Sequence, residues 1–150
     1  MKLAEALIQR ADLQKRLQQL RSRLTSNALV QEGEKPAEDP MALLAELDGV
    51  IADLTDLITR INLTNAATVD GGETMTALLA RRDCLTMKVD AMRSLVSEAS
   101  ATVMRGTKSE IIIRSAVPVQ ALQKQTDDLS KELRELDVRI QSLNWTTELT

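Results

Sequence analysis

Few residues in this chain could do chemistry, and their types and spacing exclude most familiar reactions. There is no histidine, which removes imidazole-based triads, histidine proton shuttles and most protein zinc sites. The single cysteine, Cys84, stands one position before an apolar heptad residue, Leu85. It reads as a small, partly buried side chain. Arg81 and Lys88 lie three before and four after it on a helix and would lower its pKa, but no base completes a nucleophilic site. A lone cysteine forms no disulfide within the chain, which fits a reducing, cytoplasmic location. Carboxylates are many but dispersed. Asp127, Asp128, Glu132 and Glu135 interleave with Lys124, Lys131, Arg134 and Arg139, the dress of a solvated helix face. No Glu-x-x-His unit is present for a di-iron centre. Asp70-Gly71-Gly72 is not a phosphate loop, because no Gly-Lys-Ser/Thr follows. No catalytic, cofactor-binding or metal-ligating residue is therefore assigned. No cofactor and no small-molecule substrate is identified, and the chain reads as non-enzymatic.

Three features at the margins remain. Residues 27–39 carry Glu32, Glu34, Glu38 and Asp39 around Gly33 and Pro36. They lack the Asp/Asn/Gly order of an EF-hand and read as a solvated acidic loop. Trp145, the only aromatic residue, follows Leu143, the last residue of the final helix's apolar seam. Trp145 either anchors the chain terminus or sits at an interface, ahead of any ligand-stacking role. Charge is segregated: residues 1–26 hold six basic and two acidic residues, and residues 27–61 hold two basic and eight acidic. The first two helices are expected to pair with complementary charge. Nucleic-acid binding through Lys15, Arg16, Arg21 and Arg23 is the alternative. It is not expected, because an acidic neighbour cancels the patch and no aromatic is there to stack on bases.

The elements that position these residues are mostly helices. The core is aliphatic, with no Phe or Tyr among 150 residues, which points to long helices packed along seams. The last helix carries Val119, Leu122, Thr126, Leu129, Leu133, Leu136, Ile140 and Leu143 at alternating steps of three and four, a heptad seam. The first, from about Lys2 to Thr25, repeats it with Leu3, Ala6, Arg10, Leu13, Leu17, Leu20 and Leu24. The second starts at Asp39-Pro40, an N-cap followed by proline in the first turn, and runs to about Asn62. It bears two rows. Leu44, Leu47, Ile51, Leu54, Ile58 and Ile61 form one, and Leu43, Val50 and Leu57 the other. Two rows imply two partners, the second being another subunit. The third helix, about Thr76 to Arg105, continues with Leu78, Leu85, Val89, Met92, Val96, Ala99 and Val103, with Arg82 at the missing position, and Gly106 is placed as its C-cap. Asp70-Gly71 predicts a β-hairpin within 63–75. Ser109–Val117, with Ile111, Ile112 and Ile113, predicts one extra strand, and Pro118 opens the final helix. No run reaches the ~20 apolar residues of a membrane span, and no secretion signal opens the chain.

Several stretches together resemble a known family. They are Met1–Arg16, Gln31-Glu32-Gly33-Glu34 with Glu38-Asp39-Pro40, Arg60-Ile61-Asn62-Leu63-Thr64-Asn65-Ala66, and Ala80-Arg81-Arg82-Asp83. With Leu122-Gln123-Lys124-Gln125 and the closing Asn144-Trp145-Thr146-Thr147-Glu148-Leu149, they are similar to a small bacterial family known as septicolysins. The resemblance spans essentially the whole chain, and the ending is its most specific part. It implies a long helical fold assembled into homo-oligomers, as hexamers, and its name implies a thiol-dependent, cell-lysing protein. It supplies no catalytic residues.

The expected fold is mainly α: a long antiparallel helical bundle or coiled coil of about four helices, with a small β-hairpin plus one extra strand at one end, in a single domain over residues 1–150. The expected function is that of a cytoplasmic, self-assembling structural or interaction module. A pore-forming protein and a nucleic-acid binder are the alternatives.

Overall fold

The computed structural model describes residues 1–101 and 112–150. In chain order the elements are α1 (Leu3–Ser26), α2 (Pro40–Ala67), β1 (Val69–Asp70), β2 (Glu73–Thr74), α3 (Met75–Ala99) and α4 (Val119–Thr146). The chain divides into two compact units. One comprises Met1–Thr74 and Leu143–Thr150, the other Met75–Ser142.

In the first unit α1 and α2 run antiparallel, side by side. Arg16 meets Glu46 at 2.8 Å, and further along α1 Arg23 meets Glu38 ahead of α2, so the numbering of the two helices runs in opposite directions. The predicted α1 row is the one that turns inward. Leu20 forms a buried cluster with Leu43 and Val50, and Leu13, Leu17, Leu24 and Leu47 pack against it. Each fully buried leucine contributes roughly 1.5–3 kcal/mol. Asn27 closes α1, its Nδ2 donating to the Arg23 carbonyl at 2.8 Å. Its Oδ1 accepts from the Glu38 amide at 3.0 Å, tying the end of α1 to the approach to α2. Asp39 caps α2 as predicted, accepting from the Met41 amide at 3.0 Å.

α2 runs to Ala67, five residues beyond the predicted end. Residues 63–67, read as the first strand of a hairpin, are helical. The reason is Thr64, which is buried and continues the inward row one step past Ile61. The helix stops when the Thr68 amide and hydroxyl both donate to the Thr64 carbonyl, at 2.9 and 2.8 Å. The predicted hairpin follows in shorter form. Val69 pairs with Thr74 and Asp70 with Glu73, leaving Gly71 and Gly72 as a two-residue turn. Their φ values of 55° and 85° are those of a type I′ turn, which L-residues with a side chain resist.

In the second unit α3 buries or half-buries Met75, Leu78, Arg82, Leu85, Val89, Met92, Val96 and Ala99, the predicted row with one more residue at its start. Within the described residues α3 ends at Ala99. The predicted continuation through Val103 and the Gly106 cap lie outside the described residues. α4 follows Pro118, whose carbonyl accepts from the Leu122 amide at 3.0 Å. Thr126, Leu136 and Ile140 are its buried seam positions within this unit. Arg93 reaches Ser130 at 3.1 Å and Arg82 reaches Asp137 at 4.0 Å, so α3 and α4 are also antiparallel. The extra strand is a correction. Its residues 109–111 lie outside the described range, and residues 112–117 form no strand. Ile112 and Ile113 are exposed, and the Ser115 hydroxyl forms a local turn with Val117 instead. The sheet has two strands of two residues each, too short a template for a third strand of nine.

Candidate interaction face

The inward row of α2 draws members from both rows read in the sequence. Leu43, Leu47, Val50, Leu54, Leu57, Ile61 and Thr64, at steps of four and three, are buried or half-buried. What remains is Leu44 at 41 % exposure and Ile51 at 43 %, with Ile58 half-buried further along and Met41 at 70 % before them. These residues continue a heptad spacing, so they form one stripe on α2.

The flanks of the α1–α2 pair differ. At ~100° per residue, Glu46 lies on one side of the Leu47–Leu54 line, and Leu44 and Ile51 lie on the other. The Glu46 flank is closed by charge: Arg16 to Glu46 at 2.8 Å, Arg23 to Glu46 at 3.9 Å, and Arg23 to Glu38 through paired hydrogen bonds. The Arg23 hydrogen bond holds the Glu38 carboxyl below its ordinary value, and Glu38 raises the Arg23 guanidinium in turn. The complementary charge expected from the sequence is thus realised here. Two of the four residues that would carry nucleic-acid binding, Arg16 and Arg23, are engaged in it. The opposite flank has an open groove lined by Ala11, Gln14, Lys15, Leu17 and Gln18 of α1 and Leu54 of α2. Ile51 and Ile58 lie one turn either side of Leu54, on this same flank of α2.

The end of the same unit holds a feature that sequence reasoning missed. Residues 147–150 lie against the start of the chain. The Leu3 amide donates to the Thr147 carbonyl and the Leu149 amide to the Met1 carbonyl, both at 2.9 Å. Lys2 and Glu148 form the antiparallel bridge between them. Glu148 also accepts from the Lys2 ammonium at 2.6 Å and the Met1 amino group at 3.2 Å. These two cations, Lys2 foremost, lower the Glu148 carboxyl pKa. The Thr64 hydroxyl meets the Thr150 hydroxyl at 2.9 Å and accepts from its amide at 3.0 Å, while Arg60 donates to the Thr150 carbonyl at 3.0 Å. Leu149 is buried beside them. Nothing in the heptad periodicity signals pairing between residues so far apart in sequence.

The remaining sequence candidates separate. Cys84 is exposed, not partly buried, because its position beside Leu85 falls just outside the buried row. Trp145 is 56 % exposed. The terminus is anchored by Glu148, Leu149 and Thr150, so that role does not belong to Trp145. In the acidic loop Glu38 pairs with Arg23 and Asp39 caps α2. Among the described residues no group of three or more His, Cys, Asp or Glu is placed to hold a metal ion. No helix among them is long and apolar enough to cross a membrane. Arg10 occupies a row position on α1 with its Nε buried and without a hydrogen-bond partner.

The sequence model of a family of unknown function (DUF6847) matches residues 10–149. The crystal structure of a functionally unknown conserved protein from Corynebacterium diphtheriae is similar over 100% of this chain and 99% of that chain, at 40% identity and a TM-score of 0.94. No curated protein matches. These findings overturn the septicolysin resemblance. The family matched across nearly the whole chain is one of unknown function, and neither it nor the similar crystal structure carries that name. The lytic activity and the hexamer that the name implied go with it.

Proposed function

We propose, for a chain that belongs to this family of unknown function (DUF6847), that it is a non-enzymatic, self-assembling helical module whose copies associate through the groove flank of α1 and α2. The observation that carries this reading is the stripe of Leu44 and Ile51, each more than two-fifths exposed at heptad spacing beside that groove. A heptad row left open on a helix is covered in the same way as the row that is already buried, by another helix laid along it. The dispersal of carboxylates on solvated faces, an exposed Cys84 and the lack of any histidine support a role in assembly rather than catalysis. A cytoplasmic location accompanies the reading, since a reducing compartment keeps an exposed thiol free.

Size-exclusion chromatography with light scattering at micromolar concentration tests it. The expected mass is a multiple of the 16.5 kDa chain. Ile51→Lys should shift the protein to a single chain while its helical circular dichroism stays unchanged. A wild-type protein that remains a single chain throughout the concentration range overturns the reading.

A further inference from the structure

Resting on that reading, we infer that the partner is a second copy related by a two-fold axis parallel to α1 and α2, so that α2 of each copy lies over α1 of the other with Lys15 facing Asp48. Three observations lead there.

The first is register. Arg16 and Glu46 meet at 2.8 Å, so residues of α1 and α2 whose numbers sum to about 62 stand at the same height along the pair. Ile51 is then level with Ala11, and Leu44 with Gln18. Asp48 stands within one residue of Lys15, a rise of ~1.5 Å. A two-fold axis along the helices preserves height. It therefore carries Ile51 of one copy over Ala11 of the other, Leu44 over Gln18, and Asp48 beside Lys15. It also preserves direction, so the two helices brought together are antiparallel, like α1 and α2 within one chain.

The second is shape. The groove receiving α2 is lined on α1 by Ala11, Gln14, Lys15, Leu17 and Gln18 and on α2 by Leu54. On α1 only Leu17 gives it a large apolar side chain, and the aliphatic stripe of the other copy would enter beside it.

The third is charge. Lys15 lines the groove, and among the described residues its one ion-pair partner is Asp12, at 3.8 Å with both side chains largely exposed. Asp48 lies on α2 between Leu44 and Ile51, one helical turn from each, and makes no ion pair among the described residues. A pairing of α2 with α2 in place of α1 would bring Asp48 toward its own copy and leave Lys15 outside. The arrangement proposed makes two opposite-charge contacts per dimer.

Charge exchange tests the arrangement. In light scattering and sedimentation, Lys15→Asp alone and Asp48→Lys alone should each weaken self-association about tenfold, because two attractions per dimer become repulsions. Mixing the two variants should restore it, since every contact across the mixed dimer is again Lys against Asp. Helical circular dichroism of each variant shows that the fold is retained. If wild type associates but the single variants associate as well as wild type, or the mixture is no stronger than its components, the two-fold arrangement is wrong while self-assembly stands. If wild type is a single chain, both fail.

Discussion

Replacing Leu149 with alanine probes the joint between the two ends of the chain. Leu149 is 9 % exposed, and its backbone amide is already fixed on the Met1 carbonyl at 2.9 Å. Truncation to alanine removes about three methylene equivalents at ~0.8 kcal/mol each. A residual cavity would add to that loss, but a terminal segment can settle into the space. The expected loss is therefore about 2 kcal/mol, or a fall of ~4–8 °C in melting temperature for a chain of this size. Urea unfolding at one fixed protein concentration measures it, followed by far-ultraviolet circular dichroism and by the fluorescence of Trp145, the only tryptophan. That indole lies four residues before the substitution and is itself more than half exposed, so it reports on the segment without being part of its packing. The midpoint should fall with the slope unchanged. A loss below ~0.5 kcal/mol, the level of an ordinary surface substitution, would refute the claim that this side chain holds the ends together.

Two further outcomes follow from the same structure. Gly49 lies inside α2 with open space around a would-be Cβ, whereas Gly72 has φ +85°; Gly49→Ala should stabilise by ~0.5–1 kcal/mol in thermal melts and Gly72→Ala should destabilise by about 1 kcal/mol. Glu38 and Glu148 both titrate below the ordinary 4.5, held as carboxylates by Arg23 and by Lys2 with the Met1 amino group. Their contribution is present above the unfolded value and is lost as pH falls through the lower folded values, so Glu38→Gln and Glu148→Gln should each flatten the acid limb of stability below pH 4.5 and cost stability at neutral pH.

The helical rows were legible because a period of three and four is a local signal. Leu13, Leu17, Leu20 and Leu24 on α1, and Thr126, Leu136 and Ile140 on α4, turn inward as their spacing requires. Asp39-Pro40 and Gly71-Gly72 were legible for the same reason, since each meets a backbone demand within a few residues. α2 was harder. Two adjacent heptad rows differ by one residue, and only the position of α1 decides that Leu43 and Val50 go in while Leu44 and Ile51 stay out. Thr64 illustrates a tertiary override: the predicted helix ended just before it, where a hairpin was expected, but Thr64 is buried and its hydroxyl is met by Thr150, far off in sequence. The extra strand failed on the same ground. Consecutive isoleucines favour extended backbone, but a strand needs an edge to pair with, and no local pattern reports one. The interaction face was half visible, as a row in excess of one partner's needs. Its groove and its lysine could be placed only once α1 and α2 were set side by side.

The hydrogen bonds between the first and last residues also carry a cost in chain entropy. The Met1–Glu148 contact spans 147 positions, against 15 for Arg23–Glu38. In an otherwise unstructured chain, slightly more than three doublings of loop length add ~2 kcal/mol to closure, comparable to what Leu149 supplies by burial. On this ground the α1–α2 pair is expected to close first, with the ends joining onto a surface already formed. The same reasoning in reverse has this joint opening before the α1–α2 pair, so the Leu3 and Leu149 amides should exchange with solvent ahead of those in the middle of α1 and α2.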